Sequence, residues 1–137
     1  MRAVTQEDLM GCGIACVASV LGKSYKSAKK LFAGPGHALS RGYYCREIVE
    51  ALEEGRKKYK SAKISDKNRQ FLEKDGTIVF TGRSKKYPAG HYLAKSDKGW
   101  MNPWINFPSI FPVKSGFQKT LPGKPGERSH GKNRLGN

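Results

Sequence analysis

The segment from Gly11 to Gly22 is apolar on nearly every side, and it constrains the fold more than any other part of the chain. One helical stripe is formed by Ile14, Val17, Ala18 and Leu21, and the opposite side carries Ala15, Cys16 and Val20. Gly22 suits the position that follows the last residue of a helix. A helix with so little polar surface must be buried almost all round, so the sequence predicts a helix through the core.

The other elements change in type along the chain. Two more helices are predicted over Ser24–Phe32, with Ser24 as N-cap, and over Tyr43–Glu54, and a short helix or turn is predicted around residues 71–72. Strands are predicted over Thr77–Thr81, Gly90–Lys95 and Gly99–Asn102, the last two joined by a turn at 96–98. Helices first and strands later indicate an α+β fold, with an N-terminal helical half and a C-terminal antiparallel sheet.

The domain is predicted to cover residues 1–113. A chain of 137 residues can bury one real core. From Lys114 onward Gly, Pro, Lys, Arg, Ser and Asn dominate, and such a composition cannot bury enough apolar surface to become ordered. Residues 114–137 are therefore predicted to form a flexible basic tail.

The charge is the most unusual bulk property, with 26 Lys and Arg against 11 Asp and Glu and a net charge of +15. It indicates an anionic partner, such as nucleic acid, a lipid surface or an acidic protein. No aromatic residues alternate with the basic ones as a base-stacking platform requires, which argues against nucleic acid as the main ligand without excluding it. A partner of the acidic, immunity-protein kind remains open.

The sequence also bears on the compartment. No apolar run approaches 18 residues, so no transmembrane segment is expected. The N-terminus lacks the cationic-then-apolar layout of a signal peptide. Three cysteines, an odd count without a disulfide-like spacing, indicate free thiols in a reducing compartment. The expected location is the cytoplasm, with delivery by a secretion system as an effector left open.

Cys12 and Cys16 allow three interpretations: a metal site, two structural residues, or one nucleophile. A structural zinc site needs two tight ligand pairs, and the chain has only one, so no metal or other cofactor is expected. Cys16 lies in an apolar run and Cys45 lies on the third helix, and both are predicted to be structural. Cys12 stands at a helix start, where free N–H groups and the helix dipole should lower the thiol pKa.

A nucleophilic thiol needs a base and a group that orients the base. His91 is the best candidate base, because His37 lies in a Gly/Pro-rich loop and His130 in the tail. With an even-numbered turn, His91 is either opposite or diagonal to Asn102, and both registers put the two side chains on one face of the sheet. The Asn102 carbonyl could then accept the ring N–H.

Gln6 completes this set of candidates. Its side-chain amide and the Cys12 backbone N–H would form a two-donor oxyanion hole. The residues expected to contact the substrate or to exclude water from it are Gly11, Gly13, Gly90, Trp100 and Trp104.

Three segments carry a resemblance to a known family: Gln6-x5-Cys12-Gly13-x-Ala15-Cys16, Gly90-His91-Tyr92 and Met101-Asn102-Pro103. Over roughly residues 4–105 the chain resembles papain-like cysteine peptidases, in particular the bacterial branch that trims bacteriocin leader peptides after a double glycine. The resemblance implies a papain-like fold in which Cys12 is the nucleophile, His91 the general base and acid, Asn102 the orienter and Gln6 the oxyanion-hole donor. The family often has Asp where this chain has Asn102.

The function implied is a cysteine peptidase (a hydrolase) or a related acyl-transfer enzyme that acts on a peptide or protein substrate. Leader trimming does not explain the net charge of +15. Two alternatives therefore stay open: a basic effector or toxin of the same fold held by an acidic partner protein, and a nucleic-acid-binding module with structural cysteines.

Overall fold

The computed structural model describes residues 1–123 and the backbone of residues 133–136. The described residues form a mixed helix and sheet structure of the α+β class. The helices are α1 (Cys12–Leu21), α2 (Tyr25–Lys29) and α3 (Cys45–Glu54), with 3-10 helices at Pro35–Leu39 and Arg69–Glu73. The strands are β1 (Lys60–Lys63), β2 (Ile78–Thr81), β3 (His91–Ser96), β4 (Gly99–Asn102), β5 (Gly116–Gln118) and β6 (Asn133–Gly136).

Helix α1 is the central element, as its apolar composition predicts. Every residue from Ile14 to Ala18 is fully buried, and the helix packs against α2, α3 and β3. It ends at Gly22, whose φ of +67° is the left-handed conformation that glycine adopts without strain. In the described part of the chain, no helix has the length and apolar character needed to cross a membrane.

The strands form one antiparallel sheet in the order β1-β6-β2-β3-β4-β5. One face packs against the helices through Ile78, Tyr92, Ala94 and Met101. The other face contains a smaller apolar cluster of Leu72, Val79, Leu93 and Trp100. These two sets alternate along β2, β3 and β4, as side chains of period two require.

The β3–β4 hairpin turns at Asp97 and Lys98, because Ser96 pairs with Gly99 and Ala94 with Met101. Of the two registers that the sequence left open, the observed one makes Asn102 diagonal to His91. The two side chains therefore meet at one end of the sheet.

Three strands were not predicted from the sequence, and two of them lie in the segment taken as a tail. Strand β5 pairs with β4, and β6 lies between β1 and β2. Residues 116–118 and 133–136 thus belong to the same sheet as the rest of the domain, although the sequence placed the domain boundary at 113. Residues 124–132 and 137 of the predicted tail lie outside the described residues.

Candidate active site

A cavity of about 300 Å3 opens where α1 begins and β3 begins. Cys12 is the first residue of α1 and His91 the first residue of β3, so the two elements bring the predicted nucleophile and base to one cavity. Its walls are formed by Gln6, Leu9, Met10, Cys12, Tyr87, Pro88, Ala89, Gly90, His91, Trp104 and Phe107. Most of the lining residues are apolar, and three of the predicted catalytic residues, Gln6, Cys12 and His91, are also in the wall.

Asn102 is fully buried and makes four hydrogen bonds, which fix its orientation. Its Oδ1 accepts from the Trp104 backbone N–H at 2.9 Å and faces His91 Nε2 at 2.7 Å. Its Nδ2 donates to Tyr87 Oη at 2.9 Å and to Gln118 Oε1 at 2.7 Å. Because a backbone N–H can only donate, Oδ1 is identified as the acceptor, and His91 Nε2 must carry the proton. Nδ1 is therefore the basic nitrogen of the neutral ring.

Tyr87 and Gln118 complete this arrangement, and the sequence did not single out either residue. The Tyr87 ring stacks on the imidazole of His91 with centroids 4.0 Å apart and planes 2° from parallel. Its hydroxyl donates to the Trp104 carbonyl at 2.6 Å. Gln118 lies on β5, inside the predicted tail. No periodicity or motif marks these two residues. A buried Asn102 needs hydrogen-bond partners, and that general requirement is the one signal that could have suggested them.

Desolvation keeps both reactive groups neutral in the resting protein, although the Cys12 side chain is only partly buried. Burial raises the pKa of the Cys12 thiol to about 11, although the backbone N–H groups of Tyr92 and Gly13 act in the opposite direction. Burial lowers the pKa of His91 to about 4, against the hydrogen bond to Asn102, and the positive charge of Lys86 lowers it further. The prediction that the helix start lowers the thiol pKa was wrong, because desolvation of the sulfur outweighs the contribution of the N–H groups.

Gln6 lines the same cavity as Cys12, but its side-chain amide already makes hydrogen bonds within the protein. Nε2 donates to the carbonyls of Asp8 and Leu9, both at 3.0 Å, and the buried Oε1 has no hydrogen-bond partner. Its backbone N–H donates to the Pro103 carbonyl at 3.3 Å, which ties the N-terminal segment to the end of β4. To donate to an oxyanion, Gln6 Nε2 would therefore have to share or release its hydrogen bond to the carbonyl of Asp8 or Leu9.

The expected substrate contacts are divided between the cavity and the core. Gly90 and Trp104 line the cavity. Gly11 and Gly13 do not, because protein atoms fill the space beside them: an added Cβ would lie 2.0 Å from Tyr25 Oη at Gly11 and 2.6 Å from Ile48 Cδ1 at Gly13. The prediction of open space there was wrong.

Trp100 is likewise not part of the cavity wall. It is buried in the apolar cluster with Leu72, Val79 and Leu93. Its side chain lies on the same face of β4 as Asn102 but two residues further from the cavity. Its predicted role beside the substrate is therefore replaced by a role in packing.

Cys16 and Cys45 are buried in the main core. Across residues 1–123, no group of three or more His, Cys, Asp or Glu side chains is arranged to hold a metal ion. No protein-family model, curated protein or solved structure matches this chain.

Proposed function

We propose that this protein is a cysteine peptidase or a related acyl-transfer enzyme of the papain-like kind, acting on a peptide amide. The observation that carries the proposal is the hydrogen bond of 2.7 Å between His91 Nε2 and Asn102 Oδ1. It leaves Nδ1 as the base on a ring that shares a cavity with the Cys12 thiol. Any buried histidine needs a hydrogen-bond partner, and what favours catalysis is that this one shares a cavity with a cysteine at a helix start.

The proposed reaction begins from the neutral thiol and the neutral imidazole. His91 Nδ1 takes the thiol proton as Cys12 Sγ attacks the carbonyl carbon, and the carbonyl oxygen becomes an oxyanion. The imidazolium then gives its proton to the leaving amine as the C–N bond breaks, which leaves a thioester. Nδ1 next takes a proton from water, or from another acceptor nucleophile, and the new tetrahedral intermediate expels the Cys12 thiolate, which is reprotonated by His91.

The first-turn N–H groups of α1 are the best candidates for stabilising the oxyanion, since they have no partners within the helix. Gln6 would add a second donor by moving one N–H from the turn carbonyls to the substrate. Its unpaired Oε1 favours such a movement, because the resting arrangement leaves a buried acceptor without a bond.

Labelling with an electrophilic peptide probe tests the proposal. Wild-type protein should be labelled at Cys12 and at neither Cys16 nor Cys45, because both of those thiols are buried. Cys12→Ala should abolish labelling, and His91→Ala should slow it strongly. Cys45→Ala is the matched control and should still be labelled at Cys12. Labelling that persists in Cys12→Ala, or equal alkylation of all three thiols in folded protein, would overturn the assignment.

The net charge of +15 favours a second candidate, in which the same catalytic site belongs to a basic effector held by an acidic partner protein. Expression of the wild type in bacterial cells without a partner should then be harmful, whereas Cys12→Ala should be tolerated. Harmless expression of folded wild-type protein would count against this candidate and would leave the peptidase proposal intact.

A further inference from the structure

Tyr87 lies in a position to act on the charge of His91 and not only on its orientation. Its ring is 4.0 Å from the imidazole and parallel to it, and the side chain is buried. Backbone bonds in the 84–90 loop hold it there: the Tyr87 carbonyl accepts from the N–H groups of Ser84 and Gly90, and its own N–H donates to Ser84 Oγ.

The proposed reaction requires a positive charge on a ring that burial disfavours. Asn102 accepts a hydrogen bond from this ring but carries no negative charge to balance the imidazolium. The other titratable or charged groups close to it are the Cys12 thiol, the Tyr87 phenol and Lys86, whose Nζ lies 5.8 Å from the Tyr87 ring centroid and whose charge opposes the imidazolium. Before attack, none of these groups therefore carries a negative charge that could balance the imidazolium of His91.

An aromatic face can stabilise a cation that lies over it within about 6 Å of the ring centroid, most strongly where water is excluded. The stack of Tyr87 on His91 meets both conditions. Resting on the proposed function, we propose that Tyr87 is a positioning residue whose ring face stabilises the imidazolium form of His91, and so supplies part of the electrostatic effect that a carboxylate at position 102 would provide.

The Tyr87 hydroxyl has a separate structural role. It accepts from Asn102 Nδ2 and donates to the Trp104 carbonyl, and thus helps to hold Asn102 in place. The ring and the hydroxyl can be separated experimentally, because Tyr87→Phe removes only the hydroxyl and Tyr87→Leu removes both.

The first measurement is the pKa of His91, followed by NMR in wild type, Tyr87→Phe and Tyr87→Leu. Tyr87→Leu should lower it by about one unit, and Tyr87→Phe should keep it near the wild-type value because the ring face remains. An unchanged or higher pKa in folded Tyr87→Leu would overturn the proposal. This measurement needs no substrate, so it stays informative even if the proposed function fails.

The second measurement is the rate at which the electrophilic peptide probe labels Cys12 at pH 7. Tyr87→Leu should reduce it about tenfold where His91 is present, because the imidazolium that forms as the thiol attacks the probe is less stabilised. In the His91→Gln background the same substitution should have little effect. An equal loss in both backgrounds would show that Tyr87 acts through packing alone, whereas a failure of the proposed function would appear as a lack of preference for Cys12 in wild type.

Discussion

The buried imidazole of His91 should make the folded protein lose stability as the pH falls below neutrality. Burial lowers its pKa to about 4 in the folded state, while an unperturbed histidine in the unfolded chain titrates near 6.5. Between these two values the unfolded state binds more protons, so the free energy of unfolding falls as the pH falls. Well above pH 6.5 the ring is neutral in both states, and its contribution no longer changes.

The size of the loss follows from the gap between the two pKa values. The full difference corresponds to about 3 kcal/mol, reached once the pH is below about 4. At pH 5 the unfolded histidine is almost fully protonated while the folded one is mostly neutral, and the loss relative to pH 7 is about 2 kcal/mol. His91 is only 3% exposed, so solvent screening does little to reduce this figure.

His91→Gln is the matched variant, because its amide N–H can still donate to Asn102 Oδ1 but the side chain does not titrate. Urea unfolding at pH 7 and pH 5 should show that wild type loses about 2 kcal/mol more than the variant. Carboxylates with lowered pKa values, such as Asp8 and Glu47, also lose stabilisation in acid, but they do so equally in both proteins. Equal losses, or an NMR titration midpoint of His91 near 6.5, would refute the reasoning.

Three further predictions concern single positions. Gly90→Ala should lower the free energy of unfolding, measured in urea, by about 2 to 4 kcal/mol. The φ of Gly90 is +82°, and the new Cβ would lie 2.9 Å from a β2 carbonyl oxygen. Gly22→Ala is the control, because φ is +67° but the space is open, and it should lower the free energy of unfolding by only about 1 kcal/mol. Asn102→Asp should raise the pKa of His91 in an NMR titration and cost about 1 to 3 kcal/mol of stability, since Gln118 Oε1 loses its donor; an unchanged His91 pKa would argue against the 2.7 Å contact. The alkylation rate of Cys12 should rise about tenfold per pH unit between pH 7 and 9, because its thiol pKa is about 11; a plateau near pH 7 would contradict that value.

The parts of the structure that follow local rules could be predicted from the sequence. The apolar surface of residues 14–21 indicates the buried helix, and Gly22 indicates its end. The period-two alternation of side chains is enough to predict that His91 and Asn102 share one face of the sheet, and the turn at 97–98 selects between the two registers. These features depend on residues close together in sequence, where spacing alone limits the geometry.

The parts that depend on distant packing could not be predicted. Gly11 and Gly13 were expected to leave room for a substrate, but Tyr25 and Ile48 approach them from other helices. The pKa of the Cys12 thiol depends on how far the surrounding protein desolvates the sulfur. Its position at the start of a helix carries no information about that surrounding. Gln118 lies in a short strand whose composition resembles a loop, so only the structure shows that it bonds to Asn102.

The place of β6 in the sheet has a consequence for the order of folding. β6 follows β5 in the chain but lies between β1 and β2, so among the described strands β1 joins the sheet through one that is synthesised much later. During synthesis the helices and strands β2 to β5 can associate first, since β2 to β5 pair with their neighbours along the chain. His91, Asn102 and Gln118 all belong to that early part. The hydrogen bonds that join His91, Asn102 and Gln118 can therefore form before β1 pairs with β6.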